Sequence, residues 1–349
     1  AVTGSNGKTT VKEMLGSILH FLGEVLITRG NRNNDLGVPL TLLRIDGRHA
    51  GAVIEMGANH PGEIAVLSRM AAPTVALITN AGSAHLEGFG ALEGVARAKG
   101  EIFEGLAAQG TAVINADDPH AALWRRLVGA GRNVLTFGME RAADVRAGDL
   151  TVLPDASSRF TLETAQGPVP VTLPLPGHHN VLNAAAAAAA ALAAGADLDS
   201  IRTGLAAVHG APGRLQVRAA RAGARILDDT YNANPASLAA ALDTLAVLPG
   251  AHWLVLGDMA ELGPEAAALH AEVGRRARAT GVERLYATGT LSRSAAQAFG
   301  TGARHFPDTA SLTQALEAAL RPGVIVLVKG SRSMAMERVI GALIAEEVA

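Results

Sequence analysis

The segment of the chain most able to carry out chemistry lies at its start. Glycines there let backbone N–H groups wrap around a phosphate, and a helix beginning near Lys8 directs its positive end at the anion. In such a loop the Lys8 ammonium pairs with nucleotide β- and γ-phosphates, and the Thr9 hydroxyl ligates Mg²⁺. The general phosphate-loop pattern has Gly where Val2 stands, so an ordinary strand-to-helix turn is the alternative. The loop residues are Gly4, Ser5, Asn6, Gly7, Lys8, Thr9 and Thr10.

Two further segments place polar side chains directly after predicted strands. Glu55 lies at the carboxyl end of the run Ala52–Met56, and His85 lies in the glycine-rich stretch that follows the run Val75–Thr79. Open α/β sheets bind ligands at this carboxyl edge, where a carboxylate is a suitable Mg²⁺ ligand. A histidine in such a loop is a functional candidate. The alternatives are an exposed or helix-capping glutamate and a purely structural histidine.

Three other groups of residues are weaker candidates by themselves. Lys99 lies on a predicted helix, and its local sequence favours a solvent-exposed lysine. Asn180 and Asn183 share a face at the start of a predicted helix, and capping accounts for only one of them. The polar run Asp228–Pro235 follows a short apolar strand, which indicates either ligand contacts or a capped helix start with an Asx-turn.

The elements that must position these residues alternate between helices and strands. Apolar side chains recur at i, i+3, i+4 and i+7 after Lys8, which predicts a helix. Short apolar runs then alternate with helical stretches, and this pattern predicts a mostly parallel, doubly wound sheet. Between Leu150 and Leu175, proline-interrupted β-like pieces predict a small antiparallel appendage. The eight alanines Ala184–Ala191 predict a buried helix.

A break in this pattern divides the chain into two α/β domains. Gly210–Gly213 interrupts the helical periodicity on both sides and is the best linker candidate. A second alternation of strands and helices follows it. We therefore predict domains at residues 1–210 and 211–349, with ligands favouring the cleft between them.

Composition limits the class of protein. Of 349 residues 49% are apolar, which allows a packed interior and excludes a largely disordered chain. A net charge of -2 argues against a nucleic-acid-binding surface, and the absence of cysteine excludes disulfides, iron–sulfur clusters and thiol nucleophiles. No apolar run approaches the ~18 residues of a membrane span, and no signal peptide is visible. We expect a cytoplasmic protein, a monomer, without membrane insertion.

The first strand is shorter than a phosphate loop normally requires. Only two or three residues precede Gly4, whereas a buried strand of about five residues usually carries such a loop. We expect that the chain is a fragment whose N-terminal part lies outside this sequence.

Taken in order, the motifs resemble those of the Mur ligase family of ATP-dependent amide-forming enzymes. The resemblance runs through nearly all of the chain, and three of its stretches are typical of the member that adds D-alanyl-D-alanine (D-Ala-D-Ala) to UDP-N-acetylmuramoyl-tripeptide. The matching segments are Thr3–Thr10, Gly30–Pro39, Glu55–Ile64, Ala84–Gly90, Asp228–Pro235, Gly257–Gly263 and Lys329–Arg332. The family has a UDP-substrate domain, a central P-loop ATPase domain and a C-terminal Rossmann-like domain. The resemblance implies that only the last two are present here.

The resemblance also implies roles for individual residues. Thr9, Glu55 and His85 match metal ligands of the family, and Lys99 matches a lysine that is carbamylated in several relatives. His179 matches the family pattern, and His178 does not. The implied nucleotide contacts, beyond the phosphate loop, are Asn183 to adenine and Arg214 and Asp229 to ATP. The implied substrate contacts are Asn80 near the carboxylate, and Asn232, Asn234 and Lys329 near the incoming dipeptide.

The implied reaction uses ATP and Mg²⁺ and passes through an acyl phosphate. Lys8, Lys99, His85 and Glu55 are the implied catalytic residues. Two alternatives stay open from the sequence. One is another amide ligase of the family, of the diamino-acid-adding or folylpolyglutamate type. The other is a module that binds ATP without ligase turnover.

Overall fold

The apolar runs predicted after the first helix form parallel strands, most of them in a central sheet. The computed structural model describes residues 1–82, 89, 91–153 and 155–344. In a first unit, β1 pairs in parallel with β4, followed by β5 and β6. β2 and β3 pair separately, and backbone hydrogen bonds on both sides of Val2 join β3 to β1. The strands are β1 (Val2–Thr3), β2 (Glu24–Ile27), β3 (His49–Val53), β4 (Val75–Ile78), β5 (Thr111–Asn115) and β6 (Asn133–Gly138).

Helices cover both faces of this sheet. One core contains side chains of α3, α4 and α5 packed against the strands, with Trp124 and Phe103 fully buried. On the other face α1 packs against α6 and α7, and α6 crosses β4 to β6. The helices are α1 (Lys8–Leu19), α2 (Gly37–Leu42), α3 (Glu63–Ala71), α4 (Leu92–Gly100), α5 (Ala121–Val128), α6 (His178–Ala193) and α7 (Leu198–Ala206).

The predicted antiparallel appendage is part of the same sheet. β7 (Val145–Val152) pairs in parallel with β6, and β8 (Ser158–Glu163) and β9 (Val169–Leu173) extend the sheet in antiparallel fashion. The predicted alanine helix is confirmed: all eight alanines of Ala184–Ala191 are buried in α6. Their small side chains allow α6 to lie close to the strands and to α1.

The second unit has its own sheet and its own cores. Its order is β10–β11–β15–β12–β13–β14, in which only the edge strand β10 is antiparallel. The strands are β10 (Gln216–Ala219), β11 (Arg225–Asp229), β12 (Ala251–Leu256), β13 (Arg284–Thr288), β14 (Ala303–Phe306) and β15 (Val324–Lys329). Helices α8 (Pro235–Ala246), α9 (Ala266–Ala279) and α10 (Ser292–Phe299) cover one face. Helices α11 (Thr309–Glu317) and α12 (Glu337–Leu343) cover the other.

The α/β fold class with mostly parallel sheets is confirmed. The main division between the units lies between His209 and Gly210, and two short earlier segments, residues 155–156 and Leu175–Gly177, group with the second unit. Strands β10 and β14 were not predicted, because each is short and largely exposed and so lacks a continuous apolar run. Among the described residues, no helix has the length and apolar character needed to cross a membrane.

Candidate functional site

The phosphate-loop candidate connects β1 to α1 and depends on two glycines. Gly4 (φ 145°) and Gly7 (φ 84°) adopt backbone conformations that favour glycine. A Cβ atom at Gly4 would collide with the Thr79 hydroxyl, and one at Gly7 would collide with the side-chain oxygen of Asn183. Gly7 is the residue before α1, whose first turn contains the half-buried Thr9 and Thr10. The first N–H groups of a helix have no partner within the helix, so this turn is suited to bind an anion next to Lys8.

Lys8 folds back over the loop. Its Nζ atom donates to the carbonyl oxygen of Gly4 at 2.6 Å and to that of Ser5 at 3.4 Å. The ammonium group thus lies over the concave side of the loop, where a phosphate would displace weaker carbonyl contacts. A charge-assisted contact to a phosphate is stronger than these neutral carbonyl bonds.

Residues after β4 hold the loop in shape. Ser5 exchanges two hydrogen bonds with the backbone of Gly82, and the Thr79 hydroxyl donates to the Asn6 carbonyl at 2.6 Å. The Asn80 side chain accepts from the Asn6 N–H at 3.0 Å and donates to the Asn6 carbonyl at 3.1 Å. Asn80 was predicted to contact the substrate carboxylate. Here its amide group supports the phosphate loop, and the substrate contact stays a prediction.

This supporting segment is itself held from β5. The Asn115 amide donates to the Thr79 carbonyl at 2.9 Å, and the Asp118 carboxylate accepts from the Ala81 N–H at 2.9 Å. Asp118 is 5% exposed. Residues at the ends of β5 and β4 therefore fix the position of the phosphate loop that follows β1. All three strands are adjacent, and their carboxyl edge is where open parallel sheets bind ligands.

Glu55 lies at the same edge, just beyond the end of β3, and is 2% exposed. Its Oε1 atom accepts from the Asn33 amide at 2.8 Å. Its Oε2 atom is buried and has no hydrogen-bond partner among the described residues, although the Lys12 ammonium lies 3.9 Å away. A buried carboxylate oxygen without a donor is costly unless a cation or donor reaches it. The unpartnered Oε2 atom of Glu55 therefore fits a cation such as Mg²⁺, which prefers oxygen ligands, and the predicted role of Thr9 as a further ligand stays a prediction.

Lys99 is not the exposed lysine that its local sequence favours. It is 2% exposed on α4, and its Nζ atom lies 5.5 Å from the centre of the Phe89 ring. Burial, reinforced by the positive charge of Lys8, lowers the pKa of Lys99 to about 7. The influence of Lys8 places this amine within electrostatic reach of the phosphate loop.

Asn183 lies beside the loop, and His85 cannot be placed. The Asn183 amide donates to the side-chain oxygen of Asn180 at 3.2 Å, so the two asparagines share a face as predicted. At the start of α6, His178 is exposed and His179 is half-buried. The prediction for His85 lies outside the described residues.

The predicted residues of the second unit lie around the ends of β11 and β15. Asp229 and Lys329 are register partners on these strands, and the Lys329 ammonium donates to the Asp229 carboxylate and to the Asn232 carbonyl. Burial and the charge of Arg214 lower the pKa of Lys329, while Asp229 raises it. The Arg214 guanidinium lies 3.9 Å from the centre of the Tyr231 ring, and its buried Nε has no partner among the described residues.

Asn234 has a structural role that the sequence left open. Its side chain accepts from the Ser237 N–H at 2.8 Å, and the Ser237 hydroxyl completes a capping box at the start of α8. Pro235 follows as the first helical residue. The helix-cap interpretation therefore accounts for Asn234, while its contact with the dipeptide stays a prediction. Asn232 is exposed, and its side chain accepts from the Ala233 N–H.

Family models match both units. The model described as the Mur ligase middle domain matches residues 2–191, and the model described as Mur ligase, glutamate ligase domain matches residues 213–332. This chain belongs to the Mur ligase family. The predicted resemblance is thereby confirmed.

Individual Mur ligases are similar along almost the whole chain. The UDP-N-acetylmuramoyl-tripeptide--D-alanyl-D-alanine ligase of Escherichia coli (strain K12) is 47% identical over 346 residues, which are 98% of this chain and 76% of the relative. MurF from Acinetobacter baumannii superimposes with a TM-score of 0.92 at 41% identity, over 97% of this chain and 75% of that structure. A MurF ligase from Thermotoga maritima in complex with ADP has a TM-score of 0.88 at 33% identity, over 98% of this chain and 78% of that structure.

The prediction from the sequence did not include the residues that support the candidate site of this Mur ligase. Lys12, Asn33, Thr79, Asn115 and Asp118 hold Glu55 and the phosphate loop, yet none of them was singled out. Asn33 lies within the Gly30–Pro39 stretch that carried the resemblance, which was the available signal. Asn115 ends β5 and Asp118 lies shortly after it, as Thr79 directly follows β4, so the rule that placed Glu55 at a strand end would also have found them.

A prominent cavity of the first unit does not coincide with the candidate site. It measures about 410 Å³ and is lined by apolar residues such as Leu15, Leu19 and Ile54, together with Ala1 and Pro73–Val75. Ala1 and Val75 lie at the start of β1 and β4, Leu15 and Leu19 lie on α1, and Ile54 directly follows β3. None of the candidate site residues lines it, so cavity size alone would not have pointed to the phosphate loop.

Proposed function

We propose that the chain catalyses the ATP-dependent addition of D-Ala-D-Ala to UDP-N-acetylmuramoyl-tripeptide, a step in peptidoglycan precursor synthesis. The observation that carries this proposal is the preformed phosphate loop Gly4–Thr10 in a chain 47% identical to a ligase of that name. The site of action is the cytoplasm, where ATP and the nucleotide-linked precursor are available, and the protein acts as a monomer.

The first half of the reaction activates a carboxylate. A carboxylate oxygen of the tripeptide attacks the γ-phosphorus of ATP, the bond to the ADP oxygen breaks, and an acyl phosphate forms. Two anions must approach each other, so the Lys8 ammonium and the N–H groups at the start of α1 stabilise the negative charge that accumulates. Mg²⁺, when bound, neutralises phosphate charge and polarises the transferred group. Thr9, Glu55 and His85 are the residues proposed to hold it.

The second half forms the amide bond. The amine of D-Ala-D-Ala attacks the acyl carbon, a tetrahedral intermediate forms, and phosphate leaves as the amine loses a proton. Asn80 is proposed to border the carboxylate, and Asn232, Asn234 and Lys329 to border the dipeptide. Asn183 is proposed to contact adenine, and Arg214 and Asp229 to contact ATP from the second unit.

Lys99 is proposed to act as a carbamate. Its neutral amine attacks CO₂ and loses a proton, which replaces a cation by an anion able to bind Mg²⁺. A lysine with an ordinary pKa near 10.5 is neutral about once in 3,000 molecules at pH 7, whereas a pKa near 7 leaves roughly half of the amine neutral. The buried position of Lys99 therefore supports this modification.

The test is release of ADP and phosphate by the protein supplied with ATP, Mg²⁺, UDP-N-acetylmuramoyl-tripeptide and a panel of amines. We expect stoichiometric ADP release and amide product with D-Ala-D-Ala, and little with diamino acids or glutamate. Product with another amine in its place would assign the chain to a different ligase of the family. ATP binding without ADP release under these conditions would contradict ligase activity.

A further inference from the structure

We propose that Asn33 is a positioning residue that turns one oxygen of Glu55 toward the nucleotide-bound metal. The segment Gly30–Pro39 takes no part in the mechanism above, yet Asn33 is the described residue that donates a hydrogen bond to the Glu55 side chain. This inference rests on the proposed function only in that it takes Mg²⁺–nucleotide as the ligand of the phosphate loop.

The first argument is the division of labour between the two oxygens of Glu55. Oε1 is satisfied by the Asn33 amide at 2.8 Å, while Oε2 is buried without a hydrogen-bond partner among the described residues. A carboxylate that is free to rotate exchanges its oxygens, and an amide donor on one of them fixes the plane of the group. A fixed plane leaves a defined lone-pair direction on Oε2 for a cation. Partners of this kind orient metal-binding carboxylates in known sites.

The second argument is that Asn33 is itself fixed by its surroundings. Its carbonyl oxygen accepts from the Gly57 N–H at 2.8 Å, and its N–H donates to the Asn31 carbonyl at 2.8 Å. A Cβ atom at Gly57 would lie 2.9 Å from the Asn33 side-chain oxygen, so glycine at position 57 allows Asn33 its place. The amide is therefore pre-organised rather than one of many rotamers.

The third argument comes from the opposite side of Glu55. The Glu55 N–H donates to the Thr28 hydroxyl. The Thr28 carbonyl oxygen accepts a hydrogen bond from the Lys12 ammonium at 2.8 Å. Lys12 is 1% exposed and forms an ion pair with Glu13 at 2.8 Å, so its charge is already partnered. At 3.9 Å from Oε2, the Lys12 ammonium places a positive charge beside the carboxylate without forming a hydrogen bond to that oxygen.

The test measures ADP affinity by calorimetry with and without Mn²⁺, and bound Mn²⁺ by electron paramagnetic resonance. The variant Asn33→Leu keeps the number and branching of the side-chain heavy atoms and removes the donor. We expect the metal-dependent part of ADP affinity to fall about 10- to 100-fold, as for other partners of metal ligands. Metal-free ADP affinity should stay within about two-fold. Asn31→Leu, an exposed neighbour, is the matched control and should behave as the unmodified chain.

A double variant separates positioning from a general structural role. If Asn33 acts through Glu55, then Asn33→Leu combined with Glu55→Gln should lose no more Mn²⁺ affinity than Glu55→Gln alone. Unchanged Mn²⁺ affinity in Asn33→Leu would overturn the inference. Equal losses of ADP affinity with and without Mn²⁺ would also overturn it. If the Asn33→Leu variant does not fold, the same measurements are made on Asn33→Ser. An unmodified chain that binds no Mn²⁺–ADP would instead contradict the proposed function.

Discussion

The Lys329 ammonium and the Asp229 carboxylate form an ion pair across neighbouring strands of the second unit. The resemblance had assigned these residues to different ligands, Asp229 to ATP and Lys329 to the dipeptide. Lys329 is 2% exposed, so its charge depends on Asp229 and on the Asn232 carbonyl. The two proposed binding functions are therefore coupled through one buried pair.

Removing one member of this ion pair should lower the free energy of unfolding more than removing both members. We predict that Asp229→Ala lowers the free energy of unfolding by about 3 kcal/mol, because it leaves a buried ammonium without its partner. Asp229→Leu combined with Lys329→Met should recover a large part of this loss. Urea denaturation of the chain gives the measurement, and equal stability of the single and double variants would contradict the coupling.

The glycine at position 7 should be required for its space as well as for its backbone conformation. We predict that Gly7→Ala weakens nucleotide binding at least 100-fold, because its Cβ would displace the Asn183 side chain and distort the loop. Gly129→Ala is the matched control, since Gly129 also has a positive φ (77°) but no atom within 4 Å of its Cβ position. Calorimetry with ADP compares them, and similar affinities of the two variants would exclude the steric argument.

Carbamylation of Lys99 should depend on pH in a defined direction. Because the pKa is lowered to about 7, most of the amine is protonated at pH 6 and most of it is neutral and reactive at pH 8. We predict a carbamate signal in ¹³C nuclear magnetic resonance with labelled bicarbonate at pH 8 that weakens toward pH 6. Lys99→Ala should lack the signal and lose nearly all turnover, with partial rescue by short-chain carboxylates. A signal of equal strength in Lys99→Ala would contradict this assignment.

A buried histidine should limit stability in acid. His270 is fully buried, accepts from the Met259 N–H at 2.9 Å, and has a pKa that burial lowers. The unfolded chain therefore binds the proton more readily, and stability falls as the pH drops below about 6.5. We predict that His270→Gln, although less stable at pH 7.5, shows a shallower loss between pH 7 and pH 5. An equal fall of the melting temperature between pH 7 and pH 5 in both proteins would contradict this prediction.

The sequence predicted the parts of the site that depend on local pattern. Lys8 and Gly7 follow from the spacing of a phosphate loop, and Glu55 follows from its place at the end of a strand. The burial of Lys99 could not be predicted locally, because it depends on Phe89 and on the packing of α4 against the sheet. The sequence offered a signal for Asn33 and Asp118 themselves, but not for their partners Glu55 and Ala81, because these hydrogen bonds cross long sequence separations. A helical pattern of apolar residues predicts which face of the helix is buried, but it does not predict which loop packs against that face.

The central claim is that the terminal phosphates of ATP bind at the start of α1. Its most direct test is a crystal structure of the protein with a non-hydrolysable ATP analogue and Mn²⁺. We predict that the β- and γ-phosphate oxygens accept hydrogen bonds from the backbone N–H groups of the Gly4–Thr9 segment and from the Lys8 ammonium. Phosphates bound elsewhere, with Lys8 still on the carbonyl oxygens of Gly4 and Ser5, would contradict the account.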